Sequence, residues 1–188
     1  MAEPPTPADD WRPRGRLFDE AAGDYQEGRP GYPEAVFRLL QERCGLGPGS
    51  QVLEIGPGSG QATLPILGLG AEVTAVEPGA ALAGRLRERA GSGRLRIVGA
   101  RFEDAGLPEP GYDLVVSATA FHWVPPEVGY ARAAAALRDH GWLALWWTIF
   151  GDPERVDPFV DAFQPIADAK APGLFQECGV PRFYALDL

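Results

Sequence analysis

The stretch VLEIGPGSGQAT, residues 52–63, places three glycines at alternate positions, two residues after an acidic side chain, Glu54. Gly56, Gly58 and Gly60 permit a tight turn with positive φ and bring bare backbone against a ligand. A strand-like run precedes this turn and a helix-like run follows it, so the amides that open the helix can face polar ligand atoms. The pattern predicts a ligand-binding turn between a strand and a helix.

A second acidic residue, Glu77, ends the next strand-like run, where its carboxylate can accept hydrogen bonds from two ribose hydroxyls. Glu54 beside the glycines would repel a pyrophosphate but attract an ammonium or sulfonium group. A dinucleotide fingerprint would also require glycine or alanine at position 61, where this chain has Gln61. These features disfavour a nicotinamide oxidoreductase. They favour a nucleoside with a positively charged amino-acid tail, and S-adenosylmethionine is such a molecule.

His122 is predicted at the carboxyl end of the fourth strand, on the side of the sheet where a ligand would react. An imidazole there could remove a proton from an oxygen or nitrogen nucleophile, since its ordinary pKa is near neutral. It could equally orient the loop, or close over the ligands without proton transfer. We expect Trp123 to form a wall of the pocket, and His140, at the end of a predicted helix, to be structural.

Apolar runs alternate with helix-like segments from residue 51 onward, after a first helix that Pro33 opens and Gly45 closes. Continuous apolar strands separated by helices of about a dozen residues indicate a parallel sheet covered on both faces. The sequence therefore predicts an α/β fold, a Rossmann-like three-layer αβα sandwich with a mainly parallel sheet. Its five predicted strands are QVLEI, AEVTAVE, GRLRIVGA, YDLVVSATA and GWLALWWTIF.

Taken together, these motifs resemble the class I S-adenosylmethionine-dependent methyltransferases, most closely a bacterial small-molecule branch, the methyltransferase type 11-like proteins. Members of that branch carry a YxxxRPxYP motif and a FHWV motif, which here read YQEGRPGYP (25–33) and FHWV (121–124). The resemblance extends over residues 17–150. It implies S-adenosyl-L-methionine as cofactor and methyl transfer to an oxygen, nitrogen or carboxylate of a small molecule.

The resemblance also implies which residues bind the cofactor. The methionine end would lie against the three glycines of the turn, with Glu54 near its amino group and Glu77 on the ribose. Ala118 would offer its backbone at the face where the methyl group leaves. His122, from its position at the end of the fourth strand, is the candidate catalytic residue.

Two further segments are implied in cofactor binding. Phe102 and Glu103 would surround the adenine, one stacking on it and the other near its exocyclic amine, with Asp104 as the alternative acid. Tyr25 and Arg29 would fold over the cofactor, and Arg29 could pair with the methionine carboxylate.

Composition narrows the class of protein. With 188 residues and a net charge of −9, the chain is long enough for one compact domain and lacks the excess of basic residues that general nucleic-acid binding needs. Its longest apolar run, residues 142–150, is too short to span a bilayer. Cys44 and Cys178 lie far apart in the sequence, which favours two reduced thiols over a metal site. We therefore expect a cytoplasmic enzyme without a metal, a membrane partner or a nucleic-acid partner.

The predicted organisation has three parts: a disordered tail at 1–15, a methyltransferase domain at 16–150 and a helical or irregular segment at 151–188. The last segment contains no pair of alternating runs that could form the C-terminal β-hairpin usual in class I enzymes. The fifth strand would then be an exposed edge through which the chain could self-associate. We expect the chain to be a fragment or a truncated product, and a cofactor-binding domain without catalysis is the alternative function.

Overall fold

The computed structural model describes residues 31–91, 93–107 and 111–148, together with the isolated helical residues Ala162 and Pro165. The chain divides into two units, Met1–Trp147 and Thr148–Leu188, and the account below concerns the first. Predictions about the N-terminal tail, the C-terminal segment and the missing hairpin lie outside the described residues. The same holds for Tyr25 and Arg29.

Parallel strands and helices alternate along the described chain, as the sequence predicts. The strands are β1 (Gln51–Ile55), β2 (Glu72–Val76), β3 (Leu95–Val98), β4 (Tyr112–Ala118) and β5 (Leu137–Trp146). The helices are α1 (Glu34–Cys44), α2 (Thr63–Gly68), α3 (Ala80–Ala90) and α4 (Pro126–Ala136), with single 3-10 turns at Phe102–Asp104 and Phe121–Trp123.

All neighbouring strands pair in parallel, in the order β3-β2-β1-β4-β5. The predicted Rossmann-like α/β fold is therefore confirmed, and the described sheet is wholly parallel. The strand order reverses between β1 and β4. In sheets of this kind a ligand crevice opens at such a reversal, outside the carboxyl ends of the strands.

An apolar core lies on each face of the sheet because successive strand residues point to opposite faces. In β1, for example, Val52 belongs to one core and Leu53 to the other. Helices α1, α2 and α3 cover the first core, through side chains such as Phe37 and Ile66. Helix α4 covers the second core with small residues, among them Ala133.

The first helix ends as its sequence predicts. Gly45 follows α1 with φ of 69°, and its N–H donates to the carbonyls of Gln41 and Leu40. The N–H of Leu46 also donates to the Leu40 carbonyl, at 3.2 Å, which completes a Schellman-type cap. Pro33 stands one position earlier than expected, as the residue that precedes the helix.

The boundary between α4 and β5 differs from the sequence prediction. The pattern predicts a helix that continues to His140, but α4 ends at Ala136 and β5 begins at Leu137 without a loop. Residues 137–140, which the pattern predicts as helical, include Arg138, and its guanidinium forms an ion pair with Asp113 at the start of β4. The long-range contact with β4 thus replaces a final helical turn that local propensity alone favours.

The start of β5 is irregular. Its register against β4 shifts between the pairs Tyr112–Leu137 and Leu114–Trp142, so β5 bulges there. His140 lies in this bulge with φ of 62°, a left-handed conformation that is uncommon for residues other than glycine. It is exposed near the start of β5, so the prediction that it ends a helix is wrong.

Substitution of Leu53 measures how much the central strand β1 contributes to the free energy of unfolding. Its side chain is fully buried, whereas that of Leu39 on α1 is 54% exposed. We expect Leu53→Ala to lower the free energy of unfolding by about 3 kcal/mol, and Leu39→Ala by less than about 1 kcal/mol. Urea denaturation of both variants measures this, and equal losses would contradict the assignment of Leu53 to the core.

Candidate functional site

The glycine turn after β1 has the conformation that its sequence predicts. Gly56, Gly58 and Gly60 have φ values of 66°, 57° and 99°. A Cβ atom on Gly56 would lie 2.5 Å from the Cβ of Ala120, and one on Gly60 would lie 2.7 Å from Leu86 Cδ1. The missing side chains therefore let the loop after β4 and helix α3 approach the turn from two sides.

The helix after the turn is shorter than predicted. It begins at Thr63 rather than at Gln61, so the turn continues through two residues that were expected to be helical. Pro65 lies within it, and only six residues, Thr63–Gly68, are helical. The amides near the turn therefore belong to irregular backbone rather than to the start of a long helix.

Glu77 follows β2 and connects the turn to the next helix. Its Oε2 accepts a hydrogen bond from the N–H of Gly58 at 3.0 Å, and its Oε1 accepts one from Gly79, just before α3, at 2.8 Å. The residue is only 6% exposed. Two backbone amides therefore fix the position and the orientation of this carboxylate at the end of β2.

Glu54 is the most unusual side chain of the site. It is 1% exposed, and its Oε2 has no hydrogen-bond partner within the described residues. Burial raises the pKa of Glu54 from 4.5 to about 7, and the Glu77 carboxylate adds to this shift. The Thr63 hydroxyl opposes the shift, but Thr63 Oγ1 makes no hydrogen bond in ordinary geometry, so burial prevails. A buried acceptor oxygen without a donor is the feature that a cationic ligand group would satisfy.

The carboxyl end of β4 is held by residues that the sequence did not single out. Thr119 follows Ala118 with φ of 55°, which strains a β-branched residue. Its N–H donates to the Trp146 carbonyl at 2.8 Å, and its hydroxyl lies 3.1 Å from the Tyr32 hydroxyl. The Tyr32 ring also packs edge-on against Trp146, with centroids 5.6 Å apart. The end of the YQEGRPGYP motif thus docks beside the backbone of Ala118.

His122 lies in the loop after β4, exposed, as predicted for its position. The indole N–H of Trp147 donates to His122 Nδ1, with 3.1 Å between the nitrogens. The ring of Trp123 is tilted against the imidazole, with centroids 4.7 Å apart. An imidazole that accepts at Nδ1 carries its proton on Nε2 when neutral. The role of His122 as general base stays a prediction.

Phe102 packs within the second core of the sheet. It is 3% exposed and belongs to the apolar core under α4. The Arg132 guanidinium lies over its ring, 5.6 Å from the centroid. The stacking of Phe102 on the adenine stays a prediction. Glu103, in the same 3-10 turn, pairs with Arg101 at 3.4 Å and keeps its side chain near the surface.

Comparison with known proteins identifies relatives of this chain by sequence and by fold. A family described as a methyltransferase domain matches residues 53–145, which run from β1 through most of β5. An uncharacterized methyltransferase of Mycobacterium tuberculosis is 34% identical over 131 residues, which are 69% of this chain and 51% of that protein. The chain belongs to the class I S-adenosylmethionine-dependent methyltransferases. It spans about half the length of the curated relatives it matches.

Further relatives and solved structures extend the likeness. An uncharacterized methyltransferase of Schizosaccharomyces pombe is 29% identical over 136 residues, 72% of this chain and 53% of that protein. A candidate type II methyltransferase from Anaeromyxobacter dehalogenans superposes with a TM-score of 0.58 at 32% identity, covering 76% of this chain and 56% of that one. A methyltransferase from Thiobacillus denitrificans, in complex with S-adenosyl-L-homocysteine, shares the fold with a TM-score of 0.56 at 19% identity. That alignment covers 69% of this chain and 54% of the other.

The methyltransferase fold brings most of the predicted site residues to one edge of the sheet. Glu54, the glycines, Glu77, Ala118 and His122 all lie at or beyond the carboxyl ends of β1, β2 and β4. Sequence analysis missed Thr63, Tyr32, Thr119 and Trp147. Tyr32 lay in the YQEGRPGYP motif and Thr63 in the glycine stretch, whereas Thr119 and Trp147 depend on contacts between distant segments that no local pattern encodes.

Two classes of feature are absent from the described ranges. No helix among them is long and apolar enough to cross a membrane. Nor do these ranges contain a cluster of three or more histidine, cysteine, aspartate or glutamate side chains suited to a metal ion.

Glu54 makes the stability of this methyltransferase depend on pH. Between pH 4.5 and about 7 the native state holds a proton on Glu54 that the unfolded chain has lost, so stability falls as pH rises through that window. Glu54→Gln abolishes this titration. We expect the stability of the variant relative to the parent to improve by about 3 kcal/mol between pH 5 and pH 8.

The measurement is urea denaturation of both proteins at several pH values. Glu42→Gln, at an exposed position on α1, is the matched control and should show no such trend. A constant difference between parent and Glu54→Gln at all pH values would contradict a buried, shifted carboxyl group.

Proposed function

We propose that this chain binds S-adenosyl-L-methionine at the edge formed by β1, β2 and β4, and that the protein methylates an oxygen, nitrogen or carboxylate of a small molecule. The observation that carries the proposal is the buried Oε2 of Glu54, which lies beside a turn of glycines and has no hydrogen-bond partner in the part of the chain that the structure describes. The ammonium group of the cofactor would supply the donor and the positive charge that this oxygen lacks.

The other residues fit the remaining parts of the cofactor. The Glu77 carboxylate, fixed by two backbone amides, would accept hydrogen bonds from the ribose hydroxyls. The 3-10 turn with Glu103 would lie by the adenine, and Ala118 would present backbone near the methyl group. Tyr25 and Arg29 stay predicted contributors from the N-terminal motif.

The chemistry of the transfer resides in the cofactor, whose sulfonium activates the methyl group. The chain's own residues would align the acceptor and keep water away from it, which is where most of the rate enhancement of such a displacement arises. The left-handed Thr119, tied to Tyr32 and Trp146, would fix the backbone that borders the acceptor.

The charge of the chain supports a small molecule over a nucleic acid as acceptor. At −9, its net charge opposes the phosphate contacts that dominate nucleic-acid affinity. A cytoplasmic location stays a prediction from composition.

A second candidate function is cofactor binding without turnover. The observation that favours it is that the chain spans about half the length of its relatives, so elements that bind the acceptor could be supplied elsewhere. Under this second candidate function the chain would also self-associate through β5. Among the described strands β5 pairs only with β4, and the side chain of Trp142 on β5 is 51% exposed. Cofactor binding without methyl transfer to any acceptor would favour this candidate.

Gly56→Ala tests the location of the cofactor site. Alanine would collide with Ala120, so the turn must open, and we expect affinity for S-adenosylhomocysteine to fall at least about tenfold. Gly45→Ala is the matched control because Gly45 has nearly the same φ, 69°, but no atom within 4 Å of the added Cβ. Calorimetric titration of both variants gives the affinities, and circular dichroism confirms that they are folded. Equal affinities would place the cofactor elsewhere.

The number of protons released on ligand binding tests whether a cationic group of the ligand lies beside Glu54. A cationic group bound beside Glu54 favours its ionised form, so binding below its pKa of about 7 should expel a proton. We expect S-adenosylhomocysteine binding to release up to about one proton at pH 6 and almost none at pH 9. Calorimetry in buffers of different ionisation enthalpy measures the release. Release that persists in Glu54→Gln would assign the proton to another group.

A further inference from the structure

A cavity of about 390 Å³ lies at the amino ends of the strands, the opposite end of the sheet from the proposed cofactor site. Residues with polar side chains line it at or near the starts of β1, β2 and β3, namely Gln51, Glu72, Thr74, Arg94 and Arg96. Buried Tyr112, which begins β4, lines it as well. A volume of this order is typical of small-molecule sites, so the cavity is a candidate for a second ligand.

The strand register arranges the polar side chains in two rows across the sheet. Thr74 pairs with Leu53 on one side and with Arg96 on the other, and two residues earlier Gln51 pairs with Glu72. Residues two apart on a strand point to the same face, so both rows share the face on which Leu53 enters the second core. This face is therefore apolar at the centre of β1 and polar on β2 and β3.

Two arginines stand side by side at the edge of that face. The N–H of Val73 donates to the Arg94 carbonyl at 2.8 Å, so the ladder between β2 and β3 already begins at Arg94. Arg94 and Arg96 alternate along the chain, about 7 Å apart, and both are exposed. The planar fork of a guanidinium suits two parallel hydrogen bonds to a carboxylate or a phosphate. Two such forks on one side of a strand favour a ligand with two negative charges.

Glu72 adds a second requirement. The Gln51 side-chain N–H donates to Glu72 Oε2 at 3.0 Å, which holds the carboxylate in the row that leads to Arg94. A carboxylate can only accept hydrogen bonds, and it repels a bare anion. A ligand that lies along both rows therefore needs a donor, such as a hydroxyl group, at the end that faces Glu72.

We infer that this cavity binds a small molecule that carries a hydroxyl group beside a doubly charged oxyanion, either a pair of carboxylates or a phosphate ester. Arg94 and Arg96 bind the oxyanion, and Glu72 accepts a hydrogen bond from the hydroxyl group. The site goes beyond the proposed function, because it lies at the amino ends of the strands. The net charge of −9 opposes general binding of dianions, so their affinity must come from these local arginines.

Calorimetric titration of the 188-residue chain at low ionic strength tests the ligand class with two matched pairs of probes. Malate and succinate differ by one hydroxyl group, as do glycerol 3-phosphate and propyl phosphate. We expect the hydroxyl compound of at least one pair to bind about tenfold more tightly than its match. A preference for malate identifies carboxylates as the oxyanion, and a preference for glycerol 3-phosphate identifies a phosphate. Absence of binding by all four probes, or equal affinities within both pairs, would overturn the inference.

Double variants with the same loss of charge locate the binding. Arg94→Gln combined with Arg96→Gln should weaken binding of the preferred probe at least about tenfold. Arg43→Gln combined with Arg87→Gln is the matched control, since both residues are exposed on helices that cover the other face of the sheet. This control should stay within about twofold of the parent, because exposed distant charges are screened. Circular dichroism confirms that both are folded, and equal losses in the two would overturn the site.

S-adenosylhomocysteine separates this inference from the proposed function. The variant that lacks Arg94 and Arg96 should bind it as the parent does, and saturating amounts should leave the affinity for the preferred probe unchanged. Mutually exclusive binding of the two ligands would place the arginines in the cofactor site and overturn the inference. A chain that binds the probe but not S-adenosylhomocysteine would support the second site and overturn the proposed function.

Discussion

Glu77 joins two stretches of backbone, the glycine turn after β1 and the segment that precedes α3. One carboxylate oxygen holds Gly58 within the glycine turn, and the other holds Gly79 before α3. The turn is fixed from a second side where Gly60 lies against Leu86 of the same helix. Position and recognition are thus coupled, because the group suited to binding a ribose also fixes the backbone that would face the rest of the cofactor.

The neighbouring carboxyl group shows the energetic cost of such a site. Glu54 sits among core residues on a central strand, where an apolar side chain would be more favourable. Its burial and the nearby Glu77 oppose its ionisation, and no described donor satisfies its outer oxygen. The buried Glu54 carboxyl group therefore lowers the free energy of unfolding relative to an apolar side chain at this position. A bound cation would recover part of that loss. The buried carboxyl group that lowers the stability of the protein would thus contribute to its affinity for the cation.

Much of the fold could be predicted because its signals are local. The apolar runs of β1, β2 and β4, the glycine turn and the Gly45 cap each follow from a few adjacent residues. The errors arose where a distant contact overrides local preference. Helix α4 ends early because the chain joins β4 beside Asp113. The hydrogen bond between Trp147 and His122 was equally hidden, since the two residues lie 25 positions apart.

The position of Trp147 has a consequence for the sheet itself. It directly follows the last residue of β5, so its indole reaches His122 only in the register in which Ala118 pairs with Trp146. A slip of one residue would bring Trp146 or Thr148 to that position and turn the indole to the other face. The alignment of β5 against β4 therefore decides whether the indole meets the imidazole, so an error of register in this pair of strands would also displace a side chain of the loop after β4.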